Sequence, residues 1–596
     1  MRNVPNVWGE GNIFAFSGFE GKTDWSYPFV GTLLKDKIGF TIRTEREKTF
    51  WVDFNNSGDK FTPDMVASDV ISIRTNRREN NLHILMLPFS KNEIKITITP
   101  EKNSKATTIY LCLRVEACKK LFFGDGRFTI MTDKDEISLF LNGKADIYNV
   151  VDSMDEVKRI MNGTAKERAK NWDGDKEVRY LVVGKSLKKE KPLTAIISNK
   201  QTKSKKKINT AALIRKRQNF FVHMLHRRRN TTLVKAFDIL KANVESPQGV
   251  FKQRWTTPDR WPHRHLWLWD SCFHSLGLVY IDGTLAEDSL LSVLDIQQES
   301  GFIPHIGRPD GNFSNITQPP LLSWAVWKVY QHTKNKDFLK KCYPKLRKYL
   351  LWCFQTRDKN RNGLLEWKRN DESGLDNSSR FNNGCGFDAI DFSCFLVNDL
   401  QCLTSIGKEI GKEEPKFENT AKRITEKIQN YLWDRKAGFF FDRYLNGGLS
   451  TFKTACGFLP LFAGIANKHQ AERLLYHLGS KNEFSTPFPV PSEAIDSPTF
   501  DNNMWRGPVW LNYNYFIIQG LIKYGLDDIA QKIRQKTLRE VQRWYEKEGT
   551  IFEFYDPFGK LSPTKIPRKD RFGAIKEFGW SAAIYIALSM MTKKNI

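Results

Sequence analysis

The hydrophobic period of this chain changes once, near residue 208, and that change limits it to two architectures in series. Up to about residue 200, apolar and β-branched residues alternate in short runs: IGFTIRTE (38–45), LHILMLP (82–88), IKITITP (94–100), TIYLCLRVEA (108–117) and EISLFLNG (136–143). Gly, Asn, Asp and Lys bound them. A period of two is that of half-buried strands, and their number and spacing predict an antiparallel β-sandwich over 1–205. From INTAALIRKRQ onward the apolar spacing becomes helical, which predicts a basic helical linker over 206–234. Beyond it, segments such as LLSWAVWKVYQHT, FSCFLVNDLQCLTSIGKEI, YFIIQGLIKYG and FGWSAAIYIALSMM alternate with polar, Gly/Pro-marked loops through 235–596. Several are apolar over more than one stripe, as helices packed in two concentric layers must be. The economical arrangement is a ring of paired helices whose loops form a bowl at one end. At 596 residues the chain also exceeds what one hydrophobic core usually supports.

Charge raises a different function. The net charge is +26, and between Lys185 and Arg229 fifteen Lys/Arg face a single acid, Glu190. This segment makes a polyanion or nucleic-acid binding protein the alternative of another class. No zinc-finger spacing, RNP-like strand or Walker loop accompanies the run, so a solvated segment between domains explains it better. Nine cysteines lie scattered with no CxxC, and the first residues, MRNVPNVWGEGNIFAF, lack a continuous apolar stretch. Reduced thiols and the absence of a signal-like segment point to a cytoplasmic protein. No run of 18 apolar residues suggests a membrane span.

The chemistry sits in the loops of the helical part. WPHRHLWLWDSCFH (261–274), GFIPHIGRPDGNFSNITQPP (301–320), ESGLDNSSRF (372–381), FDNNMWRGPVWLNYNY (500–515) and IFEFYDPFGK (551–560) mix Trp, Asp, Asn, Arg and Gly. Thirteen of the 17 tryptophans lie after residue 250. Flat apolar rings beside carboxylates, amides and guanidinium groups suit a carbohydrate, whose C–H faces and hydroxyls need both. Glycosidic cleavage needs one acid to protonate the leaving oxygen and a second carboxylate as base or nucleophile. Asp376, in a Gly/Asn/Ser turn, and Glu553, between two phenylalanines, are the candidate pair; Asp270, Glu366, Glu372 and Glu577 compete with them. There is no HExxH, GxSxG or phosphate-cradling GxGxxG, so neither a metal nor a cofactor is expected.

In their order WLWDSCFH, QPP (318–320), ESGLDNSSRF, WRGPVW, EFYDP and FGWSA resemble glycoside hydrolase family 63, which includes α-glucosidases and mannosylglycerate hydrolases, and also the family 37 trehalases. The resemblance covers roughly 235–590 and implies an (α/α)6 toroid with an inverting, metal-independent mechanism. By the family's motifs Asp376 is the general acid and Glu553 the base that activates water. Trp267, Trp269, Asp270, Gln318, Trp505, Arg506 and Trp510 carry over as sugar-binding residues, and Arg380 and Asn514 as further ones. Ser379 stands where the family commonly has proline, which implies a looser loop. The implied function is an inverting α-glycosidase of the α-glucosidase type. The alternative is a mannosylglycerate or glucosylglycerate hydrolase, whose substrate carboxylate Arg308 or Arg506 would meet.

Overall fold

The computed structural model divides into two compact units, Met1–Gln248 with Arg260–Pro262, and Gly249–Asp259 with His263–Ile596. It describes residues 7–8, 14–16, 40–43, 49–53, 60–67, 70–76, 82–90, 93–100, 107–124, 126–131, 136–161, 172–187, 191–198, 209–215, 230–245, 247, 249–259, 263, 265–569 and 571–591. The division falls at residue 248, after the helix Thr231–Ala242, whereas the sequence places boundaries at 205 and 235. Most of the basic run over 185–229 lies outside the described residues. Lys185, at its start, pairs with Asp146 at 3.0 Å.

In the first unit, among the described residues, fourteen strands join into one hydrogen-bonded sheet. Its centre pairs two long strands, Thr107–Gly124 and Trp172–Leu187, antiparallel, with a register shift between Asp173 and Lys176. Alternation sets the core. Across three neighbouring strands Ile84, Ile98 and Leu193 are in register, and so are Met86, Ile96 and Ala195; all six are buried. Lys95, Thr97 and Thr99 alternate with them and are only half-buried. One face of the pleat is therefore apolar throughout, which fixes the register, since a one-residue slip would turn every one of these side chains over.

The second unit carries, among the described residues, eleven α-helices of two kinds that alternate along the chain. Leu268–Leu278, Leu322–Thr333, Ile390–Glu409, Leu459–Ala463, Leu511–Lys523 and Gly579–Met590 are buried over most of their circumference. Each packs on the next of these six, and the last packs on the first. Of the intervening helices, Lys336–Arg357, Pro415–Tyr431, Lys468–Gly479 and Asp527–Glu548 bury one stripe and leave much of the rest exposed, while Gly283–Asp295 is buried over most of its length. A helix apolar all round needs neighbours on every side, whereas a one-striped helix needs a single partner, which is why the six pack on one another in a closed succession. No helix among the described residues is long and apolar enough to cross a membrane.

Close approach between inner helices depends on Gly520. A Cβ there would lie 2.7 Å from the Phe462 backbone nitrogen and 2.8 Å from the Leu461 carbonyl carbon. Alanine is the better helix former, yet backbone atoms of a packed neighbour cannot move aside cheaply. Gly520→Ala should therefore lower stability, by about 1–3 kcal/mol, in urea or thermal unfolding. An unchanged or higher midpoint would show that the ring tolerates separation at this contact.

Candidate active site

The segments leading into five of the six inner helices, all but Leu459–Ala463, converge on a cavity of about 260 Å³. Trp267, Trp269 and Asp270 come from the start of Leu268–Leu278, Gln318 from the turn before Leu322–Thr333, and Asp376 from the loop ahead of Ile390–Glu409. Trp505 and Trp510 precede Leu511–Lys523, and Glu553, Phe578 and Trp580 surround the start of Gly579–Met590. Asp376 and Glu553, 177 positions apart in the sequence, thus line one pocket. Of the competing acids only Asp270 reaches it. Glu372 is fully buried and accepts hydrogen bonds from Arg357 and the Lys368 N–H, and Glu577 accepts one from Thr550.

The loop bearing Asp376 is fixed at both ends. The Asn370 side chain donates to the Asp376 carbonyl at 2.6 Å. Asn377 accepts the Trp505 N–H at 2.9 Å and donates to the Asn503 carbonyl at 3.1 Å. Gly374, at φ 75°, passes over the Trp269 indole so closely that a Cβ would lie 2.4 Å from the ring. Only glycine has both that conformation and that clearance. Ser379, read as loosening this loop, instead donates to the buried Glu493 carboxylate at 2.6 Å and ties it down.

Three of the residues carried over as sugar ligands do not line the cavity. Arg380 is fully buried, and its guanidinium is forked onto Asp442 and Asp391 through four bonds of 2.7–2.8 Å. Arg506 donates to the Asn377 carbonyl at 2.7 Å and to Asn382 at 2.6 Å, so it clamps the Asp376 loop. Asn514 is buried, accepting the Val490 N–H and donating to the Pro489 carbonyl and Thr537. Motif membership does not say which side chain faces the ligand. Arg308 is exposed and is also absent from the cavity wall.

Two cations that the sequence did not single out stand at the carboxylates. Arg568 Nε donates to Glu553 Oε2 at 3.0 Å, and its Nη2 to Oε1 at 3.3 Å. The Ile575 N–H also donates to Oε2 at 3.2 Å, leaving Oε1 the less engaged oxygen. Lys569 Nζ donates to Asp376 Oδ2 at 2.9 Å. Both cations sit in one tight hairpin between the two-residue strands Pro567–Arg568 and Arg571–Phe572. The stretch PTKIPRKDRF reads locally as a solvated basic turn, and no local pattern reveals where its tip reaches.

The remaining wall is aromatic. Trp505 and Trp510 stack at 3.7 Å, and Trp580 meets both Trp269 and Trp510 edge-on. The indole N–H groups of Trp267, Trp505 and Trp580 are buried and have no hydrogen-bond partner among the described residues. Unsatisfied buried donors are costly, and all three belong to tryptophans of the cavity wall. His305 lies against Trp267 with its pKa pulled down to about 4 by burial. Burial also acts to lower the pKa of His263, but the Asp259 carboxylate 2.7 Å from its Nδ1 outweighs this and the net shift is upward. Burial pushes the Asp270 carboxyl up to about 8, so at neutral pH it is mainly protonated and able to donate a hydrogen bond. Among the described residues no group of three or more His, Cys, Asp or Glu is placed to hold a metal ion.

Comparison with known proteins places this cavity. The family model for the mannosylglycerate hydrolase MGH1-like glycoside hydrolase domain matches residues 263–581, and the trehalase model matches 144–380. A mannosylglycerate hydrolase of Thermus thermophilus is 26% identical over 433 residues, covering 59% of this chain and 99% of that one. A glucosylglycerate hydrolase of Mycolicibacterium hassiacum is 23% identical over 395 residues, covering 49% of this chain and 87% of that one. The crystal structure of a family 63 mannosylglycerate hydrolase from Thermus thermophilus in complex with glucose is 27% identical, with a TM-score of 0.52, and covers 60% of this chain and 100% of that one. The same hydrolase is also described in complex with Tris and D-glycerate. By name these relatives hydrolyse glycerate glycosides, the alternative reading of the sequence, and are not general α-glucosidases. A family match over more than half the length, spanning every segment that builds the cavity from His263 through Trp580, makes this chain a member of the MGH1-like glycoside hydrolases.

Proposed function

We propose that this glycosidase hydrolyses the α-glycosidic bond of a sugar linked to glycerate, by inversion, on an (α/α)6 toroid. The observation that carries the proposal is the presence of Asp376 and Glu553 on one small cavity walled by tryptophans. The closed succession of six inner helices supports the toroid. A volume of about 260 Å³ is at the low end for ligand pockets and suits one sugar ring with a small aglycone better than a long oligosaccharide. The names of the relatives supply the glycerate.

The mechanism follows from the two carboxyls. Asp376, protonated from solvent, gives its proton to the glycosidic oxygen as the bond to the anomeric carbon breaks. Glu553 takes a proton from a water whose oxygen bonds to that carbon from the opposite face. Sugar and alcohol leave, and the Glu553 proton returns to solvent. Inversion leaves room for the water when the carboxyls stand about 6.5–9.5 Å apart, against about 5–5.5 Å for retention. Arg568 and the Ile575 N–H orient Glu553 and leave Oε1 open to the water. The tryptophan faces pack on the sugar's C–H surfaces, and the neutral Asp270 carboxyl donates a hydrogen bond to a sugar oxygen.

Asp376→Asn and Glu553→Gln should each lower kcat by roughly 10²–10⁴-fold in protein that circular dichroism shows to be folded, Glu553→Gln with a lower melting temperature because it leaves the buried Arg568 without its carboxylate. Near-normal turnover by either variant removes that residue from its role. Across α-mannosylglycerate, α-glucosylglycerate, trehalose and maltose, kcat/KM should be highest for a glycerate glycoside; maltose as the best substrate would restore the α-glucosidase reading.

The Asp270 shift also makes a stability prediction. Its folded pKa lies above the unfolded value of 3.8, so the stability it contributes is complete below about pH 4 and is lost as pH rises through about 8. An amide in its place has no such titration. In thermal scans the stability of Asp270→Asn relative to the natural protein should therefore rise from pH 5 to pH 9, by up to about 4 kcal/mol from 1.36 kcal/mol per pKa unit. A constant difference would mean that Asp270 is ionised in the fold at neutral pH.

A further inference from the structure

We infer that Lys569 is the specificity-determining residue for the aglycone: its ammonium leaves Asp376 to receive the carboxylate of the substrate's glycerate. The inference rests on the glycerate-glycoside reading above and adds a residue and a switch to it.

An ammonium beside a carboxylate disfavours its protonated form, and once Asp376 is protonated the charge that held the ammonium is gone. The 2.9 Å contact between Lys569 Nζ and Asp376 Oδ2 is therefore weakened in the reacting complex, where another anion competes for the lysine. Glycerate supplies one at the right place. Whichever hydroxyl of glycerate carries the sugar, its carboxylate lies within two carbon atoms of the glycosidic oxygen. When Asp376 reaches that oxygen, the aglycone carboxylate is necessarily close to the ammonium that Asp376 gives up. Without a cation, the same carboxylate would face the carboxylates of Asp371 and Glu553, both of which line the cavity. Like charges in so small a space oppose binding.

The other cations of the wall are committed. The Arg568 side chain is 8% exposed and holds Glu553 through two hydrogen bonds, and withdrawing it would leave a buried carboxylate unpaired. His263 is held at both its ring Nδ1 and its backbone N–H by Asp259. Lys569 has a side chain 45% exposed and, among the described residues, a single side-chain hydrogen bond, the kind of pair that opens at little cost. Its backbone is nonetheless anchored. The residue sits at φ 53° with its N–H donated to Asn503 at 2.9 Å, and the nearby Pro567 carbonyl accepts the Met504 N–H at 3.1 Å. A fixed base with a movable ammonium is what exchange between two carboxylates needs. The exchange has a kinetic consequence: a substrate bearing the carboxylate releases Asp376 for protonation, and a neutral aglycone leaves the ion pair closed.

The test compares an α-glycosylglycerate with the corresponding α-glycosylglycerol, in which CH2OH replaces the carboxylate. The natural protein should favour the glycerate glycoside in both kcat and KM. In Lys569→Met the ratio of the two kcat/KM values should fall roughly ten-fold or more, and in Lys569→Arg it should stay within about three-fold of the natural value. Thermal unfolding checks that both variants fold. An unchanged ratio in Lys569→Met, with the natural protein active on the glycerate glycoside, overturns this inference and leaves the proposed function standing. A natural protein that cleaves the glycerol glycoside as well as the glycerate glycoside, or cleaves neither, overturns the proposed function, and this inference with it.

Discussion

The site depends on one buried arginine. Arg380 lies four residues beyond Asp376, and its guanidinium bridges Asp391, at the start of an inner helix, to Asp442, beside the two-residue strand Arg443–Tyr444. None of the three side chains is more than 4% exposed. Removing one partner from such a cluster leaves a buried charge uncompensated, at a cost of about 3–5 kcal/mol. The cluster also joins three chain segments at the position from which the Asp376 loop departs. Asp442 additionally accepts the Ile390 N–H, and Asp391 accepts the N–H of Phe392 and the indole N–H of Trp367. One ionic knot thus closes the start of a helix and fixes the loop above it.

The same economy recurs around the ring. None of the six inner helices has a side-chain hydrogen bond from its own N-cap residue. Their first N–H groups are met from elsewhere: Trp269 by Gln318, and Ser323 and Trp324 by Asp399. These helices are therefore held at their starts partly by residues of another segment, so the helix starts and the loops preceding them are positioned together. Those loops carry the tryptophans and carboxyls of the cavity, where the unsatisfied N–H ends of the helices also favour negative charge.

Much of this was legible in the sequence, and what was not has identifiable causes. The strands at 82–88, 94–100 and 108–117 and the long helices read directly because one face of each is apolar at the period of its backbone. The inner helix Leu459–Ala463 did not, since five residues containing Pro460 show no period at all. Asp376, Glu553 and the pocket tryptophans stood out as polar-aromatic loops between apolar helices. Arg380 and Asn514 share those motifs but turn inward, where their hydrogen bonds are all spent on the protein. Arg568 and Lys569 show the opposite failure. A basic hairpin looks like surface until the chain folds its tip against two carboxylates, 15 residues away in one case and 193 in the other.

The proposed mechanism makes its sharpest commitment in stereochemistry, because a water activated by Glu553 on the face opposite Asp376 would have only one outcome. Proton NMR during the first turnovers of an α-glycosylglycerate, before mutarotation, observes it directly. The free sugar should appear first as the β-anomer. If the α-anomer appears first, the two carboxyls act through a covalent intermediate, and the account of Glu553 as the base that activates water is wrong.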